Sequence, residues 1–201
     1  MRGEYGYQYS QHLRKMSTPF VYIDIGANIG LYSLIALENP HAVMVHAFDP
    51  DSSSIEFLQA NLEQTKLKNW KIHPVAISNV AGTMTLNKKP GHSGASTIEQ
   101  PTFENVNQET IEVVDYEYLD SVFTNTDQRF VIKIDVEGHE ISVLETLAKT
   151  KFFNQISEIF AEFDTRMSDP RLTEEWFNSH GFVKSLHLGD DSHWDALYVK
   201  K

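Results

Sequence analysis

The residues with chemistry to offer stand at the ends of short apolar runs. Asp24 sits near the end of the first and is followed by Gly26-Ala27-Asn28-Ile29-Gly30; Asp49 closes the second, Asp135 a later one with Glu137 just beyond, and Glu162 stands near the end of the next. Glycines at 26 and 30 let the backbone approach a ligand closely, and a helix start beyond them offers unpaired amide donors. A carboxylate ahead of such a turn suits an ammonium or the neighbourhood of a sulfonium better than a phosphate. Asp49 is placed to accept hydrogen bonds from both hydroxyls of a ribose. Acid, glycine turn and second acid together point to a nucleoside carrying positive charge. The dinucleotide fingerprint G-x-G-x-x-G is absent, because Ala27 and Asn28 replace its second glycine and its spacing, so the turn does not suggest a pyrophosphate.

The elements that must position these residues read as strands alternating with helices. Phe20 to Ile25 is an apolar run broken by Asp24, and Leu31, Leu34 and Ile35 then repeat at helical spacing until Asn39-Pro40, where proline stops the helix. A second strand, Val43 to Phe48, turns at Asp49-Pro50 into a helix with Ser53 and Glu56 as its capping box and Ile55, Leu58 and Leu62 as its stripe. Lys71 to Ile77 reads as a third strand. This order demands parallel strands with right-handed crossovers, and ligands then bind beyond the strands' carboxyl ends. From Ala81 to Tyr118 the rhythm breaks. Short stretches at Gly82 to Leu86 and Thr110 to Val114 flank an exposed loop rich in Gly, Ser and His, Gly91 to Thr97. The pattern resumes with a strand at Phe130 to Asp135, a helix at Gly138 to Ala148 and a strand at Ile156 to Phe163. A helix opened by Asp169-Pro170 and ended by Gly181 follows, then a hairpin of Phe182 to Leu188 and Trp194 to Val199.

The 201 residues suffice for one substantial core. With 17 Lys and Arg against 28 Asp and Glu, the net charge of −11 repels phosphate backbones and anionic lipid, so neither nucleic acid nor membrane is an expected partner. The absence of cysteine excludes disulfides, thiolate metal sites and cysteine nucleophiles. No stretch approaches the ~20 apolar residues of a membrane span, and the reading is of a soluble, cytoplasmic protein. Residues 1–19, with Tyr5, Tyr7 and Tyr9 alternating, read as an edge strand, a lid over the site or a tail, ahead of a single domain over residues 20–201.

The ordered set Ile23-Asp24-Ile25-Gly26-Ala27-Asn28-Ile29-Gly30, Ala47-Phe48-Asp49-Pro50, Ala76-Ile77-Ser78 and Ile132-Lys133-Ile134-Asp135-Val136-Glu137-Gly138-His139-Glu140 resembles the class I S-adenosylmethionine-dependent methyltransferases, and within them the FkbM family. The resemblance implies an α/β Rossmann-like sandwich: a mostly parallel seven-stranded sheet, an antiparallel C-terminal hairpin and a small inserted β segment near residues 80–115. It implies S-adenosyl-L-methionine as cofactor. The turn with Asp24, Gly26, Ala27, Asn28 and Gly30 would cradle its methionine part, Asp49 would bind the ribose, and Pro50, Ala76 and Ile77 would border the adenine. Two residues depart from the family pattern: Asp49 stands where glutamate is usual, and His139 where alanine is commoner, which bears on substrate choice.

By the period of two, Val131, Lys133 and Asp135 share one strand face, so Asp135 points toward the ligand crevice and converges with Glu137 and Glu162 beside the methyl donor. Methyl transfer to a hydroxyl needs the nucleophile in line with the leaving sulfur and a group to take its proton. Glu162 is the first candidate for that base, against a reading in which it pairs with a buried Lys133. Asp135 is expected to hold the cofactor's amino group, with His139 next in line as base. His92, Ser93, Glu137 and His139 are the expected substrate contacts. Asp135, Glu137 and Glu162 would suit Mg²⁺ or Ca²⁺ by ligand type, but the resemblance implies no metal and none is expected. The function read is O-methylation of a hydroxyl on a sugar or small metabolite, since Glu137-Gly138 stands where base- and amide-methylating enzymes carry Pro-Pro-Tyr. The alternatives are a catalytically silent S-adenosylmethionine-binding partner protein and a nicotinamide-dependent reductase, the latter opposed by the missing glycine fingerprint and the missing Tyr-x-x-x-Lys pair.

Overall fold

The chain begins with α1 (Tyr7–Lys15), β1 (Phe20–Ile25), α2 (Leu31–Leu37), β2 (Ala42–Phe48), α3 (Ser52–Gln64), β3 (Trp70–His73) and β4 (Ala76–Ile77) in a computed structural model that describes residues 6–91, 93–124, 127–190 and 192–201. It continues with β5 (Gly82–Lys88), β6 (Asn107–Val114), α4 (Tyr116–Val122), β7 (Phe130–Ile134), α5 (Glu140–Ala148), β8 (Ile156–Asp164), α6 (Pro170–Ser179), β9 (Phe182–Gly189) and β10 (His193–Lys200). The apolar runs pair into a seven-stranded sheet of order β3-β2-β1-β7-β8-β10-β9, in which β10 is antiparallel to both its neighbours and the pairings from β3 to β8 are parallel. A second sheet, β4-β6-β5, stands beside it and is the inserted β segment. This is the α/β fold expected from the sequence.

Alternation along the central strands divides the core in two. Val21, Ile23 and Ile25 of β1 join Phe130, Ile132 and Ile134 of β7 in one apolar cluster, while Phe20 and Tyr22 join Val131 in the cluster on the opposite face. Asp24 and Lys133 fall on that second face and lie directly opposite each other across the β1–β7 pairing.

Three local expectations are corrected. The strand read as Lys71 to Ile77 divides at Pro74, which has no N–H for a ladder: β3 stays in the main sheet and β4 leaves it to pair with β6. The helix after β2 is capped by Asp51, whose side chain accepts from the Ser53 amide, rather than by Ser53. The helix after β7 begins at Glu140 and not Gly138, because Glu137 and Gly138 both hold left-handed backbone, at φ of 50° and 102°.

Residues 7–15 are neither edge strand nor tail. Tyr9 and Leu13, one helical turn apart, are fully buried, and the Tyr9 ring stacks on Phe160 with centroids 3.7 Å apart. The helix therefore closes the second core, and none of its residues lines the cavity described next. Tyr5 lies outside the described residues.

Candidate functional site

The carboxyl ends of β1 and β7 adjoin at the centre of the sheet, where the strand order departs from chain order and open α/β sheets bind their ligands. There a partly open cavity lies at the sheet's edge. Its wall is assembled from the glycine turn after β1, Asp49, Pro50 and Asp51 after β2, Val75 to Ile77, and Asp135 to Glu137 after β7.

The glycine turn is dictated by a close approach. Gly26 has φ of +73°, and a Cβ there would stand 1.7 Å from the Asp135 carbonyl oxygen, so only glycine lets the turns after β1 and β7 lie together. Asp49 is 7% exposed; its Oδ2 accepts from the Asn28 amide at 2.7 Å and its Oδ1 from the Asp51 amide at 3.0 Å. Burial pushes its carboxyl up to about 6 against the pull of those two amides. Each oxygen keeps a lone pair for a ligand hydroxyl. Pro50, Val75, Ala76 and Ile77 supply the apolar surface beside it.

Beneath the turn runs a buried ionic strut. Lys133 Nζ donates to the Gly26 carbonyl at 2.8 Å and pairs with Asp135 Oδ2 at 3.1 Å and Asp24 Oδ1 at 3.6 Å. Burial opposes its charge, but Asp135 and Asp24 outweigh burial and hold the ammonium above its usual range. Asp24 also accepts from Ser33 Oγ at 2.7 Å and is wholly buried.

Next to the cavity lies a smaller recess lined by Asp135, Glu137, Gly138, Glu140, Glu162 and Asp164. Asp135 and Glu137 belong to both walls. Burial, then Asp135, Glu162 and Glu140, push Glu137 up to about 8; burial is also the chief cause that raises Glu140 to about 7. Glu162 is raised by burial and Asp135, while the His193 Nε2 at 2.5 Å works against the shift. Among the described residues no group of three His, Asp or Glu side chains is arranged to hold a metal ion.

The segment between β5 and β6 covers the cavity. Gly94, Ser96 and Ile98 line it, and three contacts tie the cover down: Ser96 Oγ to Asp51 Oδ2 at 3.2 Å, Thr97 Oγ1 to the Glu137 carbonyl at 2.7 Å, and Glu99 Oε1 to His139 Nδ1 at 2.6 Å.

A family model for the methyltransferase FkbM domain matches residues 24–184, from the acid before the glycine turn to the start of the final hairpin. The chain belongs to the FkbM methyltransferase family. Methyltransferase 1 of Beauveria bassiana is 23% identical over 185 residues, covering 84% of this chain and 74% of the relative. The structure of Methyltransferase FkbM from Methylobacillus flagellatus superposes with a TM-score of 0.60 at 18% identity, over 95% of this chain and 47% of that one. That of M. capricolum TrmK in complex with S-adenosyl-homocysteine gives 0.56 at 13% identity, over 97% and 68%. At these identities the structures share the fold.

In this FkbM-family chain, Gly26, Asn28, Asp49, Pro50, Ala76, Ile77, Asp135, Glu137 and His139 line the cavity together. Asp24, Ala27 and Gly30 do not. Asp24 lies under the turn as the counter-charge of Lys133, a correction to its reading as a ligand contact. Gly30 is at φ of +88° against Leu58, so its role is helix entry. Glu162 faces the recess rather than the cavity and pairs with His193; the partners of Lys133 are Asp24 and Asp135, not Glu162. His139 Nδ1 is engaged by Glu99 and Nε2 by Ser78 Oγ at 2.9 Å, so the ring links the cover to the end of β4. His92 lies outside the described residues, as does the Ser93 side chain. Sequence reading missed Asp51, which meets the Lys88 ammonium at 2.6 Å. Burial works to raise this carboxyl, but Lys88 and Ser53 hold it below its usual range. Its signal was its place two residues past Asp49, at a helix start. No described helix is long and apolar enough to cross a membrane.

Proposed function

We propose that this methyltransferase uses S-adenosylmethionine and methylates a hydroxyl of a sugar or another small metabolite. The observation that carries the reading is Asp49: a buried carboxyl on the wall of the cavity, fixed by two backbone amides and flanked by apolar Pro50, Ala76 and Ile77. Such a wall fits a ribose diol beside an adenine. When bound, the cofactor supplies a methyl carbon made electrophilic by positive sulfur.

The chain's own residues orient the reactants and keep water out. Asp135, positioned by Lys133, offers a carboxylate to the cofactor's ammonium, and Ser96 and Ile98 close the cavity from above. The adjoining recess, lined with carboxyl groups, disfavours an anionic acceptor, in keeping with the net charge of −11. The absence of Pro-Pro-Tyr after β7 favours a hydroxyl over a base nitrogen.

The test is incubation with methyl-labelled S-adenosylmethionine and separate panels of neutral sugars, small polyhydroxylated metabolites and transfer RNA. Label in a sugar or metabolite as an alkali-stable ether is the expected result. Label in RNA alone would overturn the substrate reading.

A further inference from the structure

Resting on the reading of a sulfonium donor, we propose that Glu137 is the residue that takes the acceptor's proton, and that positive charge in the adjoining cavity switches it on.

Geometry singles it out. A proton acceptor must reach the place where donor and acceptor meet, and Asp135 and Glu137 are the residues common to cavity and recess. Asp135 is engaged by Lys133, Glu162 by His193, and both nitrogens of His139 by Glu99 and Ser78. The Glu137 carboxyl, by contrast, has neither a hydrogen bond nor an ion pair with any described residue. Its backbone is nevertheless fixed: left-handed at φ of 50°, with the carbonyl bonded by Thr97 from the cover at 2.7 Å. Holding a non-glycine residue there costs energy, and such strain gathers at functional positions.

Its charged surroundings explain the switch. Asp135 precedes it in the same turn, Glu140 follows on α5, and Glu162 faces it from β8; on the positive side stand His193 of β10 and the more distant Arg166. Burial and the three carboxyls push Glu137 up to about 8, so at neutral pH it holds its proton. An opposite charge within ~4–6 Å lowers a carboxyl by ~1–3 pKa units, which leaves Glu137 ionised while the donor is bound. In the transfer the acceptor O–H bond breaks and its proton passes to the Glu137 carboxylate. The O–C bond forms as the C–S bond breaks, and the electron pair of that bond stays on sulfur. Once sulfur is neutral Glu137 keeps the proton, and ionisation recurs when the next positively charged donor binds.

The experiment measures protons released on ligand binding, by titration calorimetry at pH 7.5 in buffers of different ionisation enthalpy. The ligands are S-adenosylmethionine and S-adenosylhomocysteine, which differ at sulfur by the methyl group and its positive charge. The wild-type chain is expected to release about half a proton more with the sulfonium compound. Glu137→Gln should bind both and lose the difference, with kcat lowered ~10²-fold or more and KM for the donor little changed. Glu162→Gln should keep the difference. Equal release for the two ligands in the wild type would overturn the proposal, as would a difference that survives Glu137→Gln. The wild-type comparison needs no variant to fold. Failure of either ligand to bind would overturn the donor reading as well; binding without differential release would overturn this inference alone.

Discussion

Lys133→Met retains most of the stem and removes the ammonium. In the wild type Lys133 is 4% exposed, and its ammonium is the counter-charge of Asp24, whose Oδ1 makes no hydrogen bond, and of Asp135 Oδ2, while also holding the Gly26 carbonyl. Asp135 is partly exposed and can turn to water, whereas Asp24 has no exposed surface. Removing one partner of a buried pair costs ~3–5 kcal/mol, and with Asp24 alone losing its counter-charge in a buried place while keeping its Ser33 hydrogen bond the lower end applies, about 3 kcal/mol. For a chain of this size each kcal/mol moves Tm by ~2–4 °C, so a fall of about 6–12 °C is expected in thermal unfolding at pH 8. Asp24→Asn on the Lys133→Met background should restore part of the loss, since a neutral amide needs no counter-charge. A Lys133→Met Tm within 2 °C of wild type, or a double variant no better than the single, would refute the strut.

Gly26→Ala should abolish ligand binding and lower stability severely, because its Cβ would stand 1.7 Å from the Asp135 carbonyl; Gly91→Ala, at φ of +75° but with nothing within 4 Å, should cost only ~1 kcal/mol, both read by denaturant melts. Asp49 must be ionised to accept two ribose hydroxyls, and burial raises it to about 6. Affinity for S-adenosylhomocysteine is thus expected to be level above pH 7 and to fall as pH drops through 6, approaching about tenfold per unit. Asp49→Asn should flatten that profile at a lower affinity, by calorimetry from pH 5 to 8.

The parts of this site visible in the sequence were those written locally. β1, β2, β7 and β8 show as apolar runs, and acids at or just past strand ends fall at the open edge of a parallel sheet wherever the strands lie. Pairing between distant residues was not written locally. The period of two placed Lys133 on a face but not opposite Asp24, because the β1–β7 register is set by packing across the whole sheet. Likewise Glu162 found His193 only through the antiparallel docking of β10 on β8. The tyrosines near the start read as period two, while the burial of Tyr9 and Leu13 shows the helical period that governs. His139 resembled a base by type, and only the cover's docking reveals both of its nitrogens in use.

The central claim is that a nucleoside with its sulfur substituent lies along the wall from Asp49 to Glu137. A crystal structure of the chain with S-adenosylhomocysteine tests it directly. The expected density has both ribose hydroxyls on the Asp49 carboxylate, adenine against Pro50 and Ile77, and sulfur toward Asp135 and Glu137. Density at another place on the molecule, or none in this cavity at saturating ligand, would contradict it.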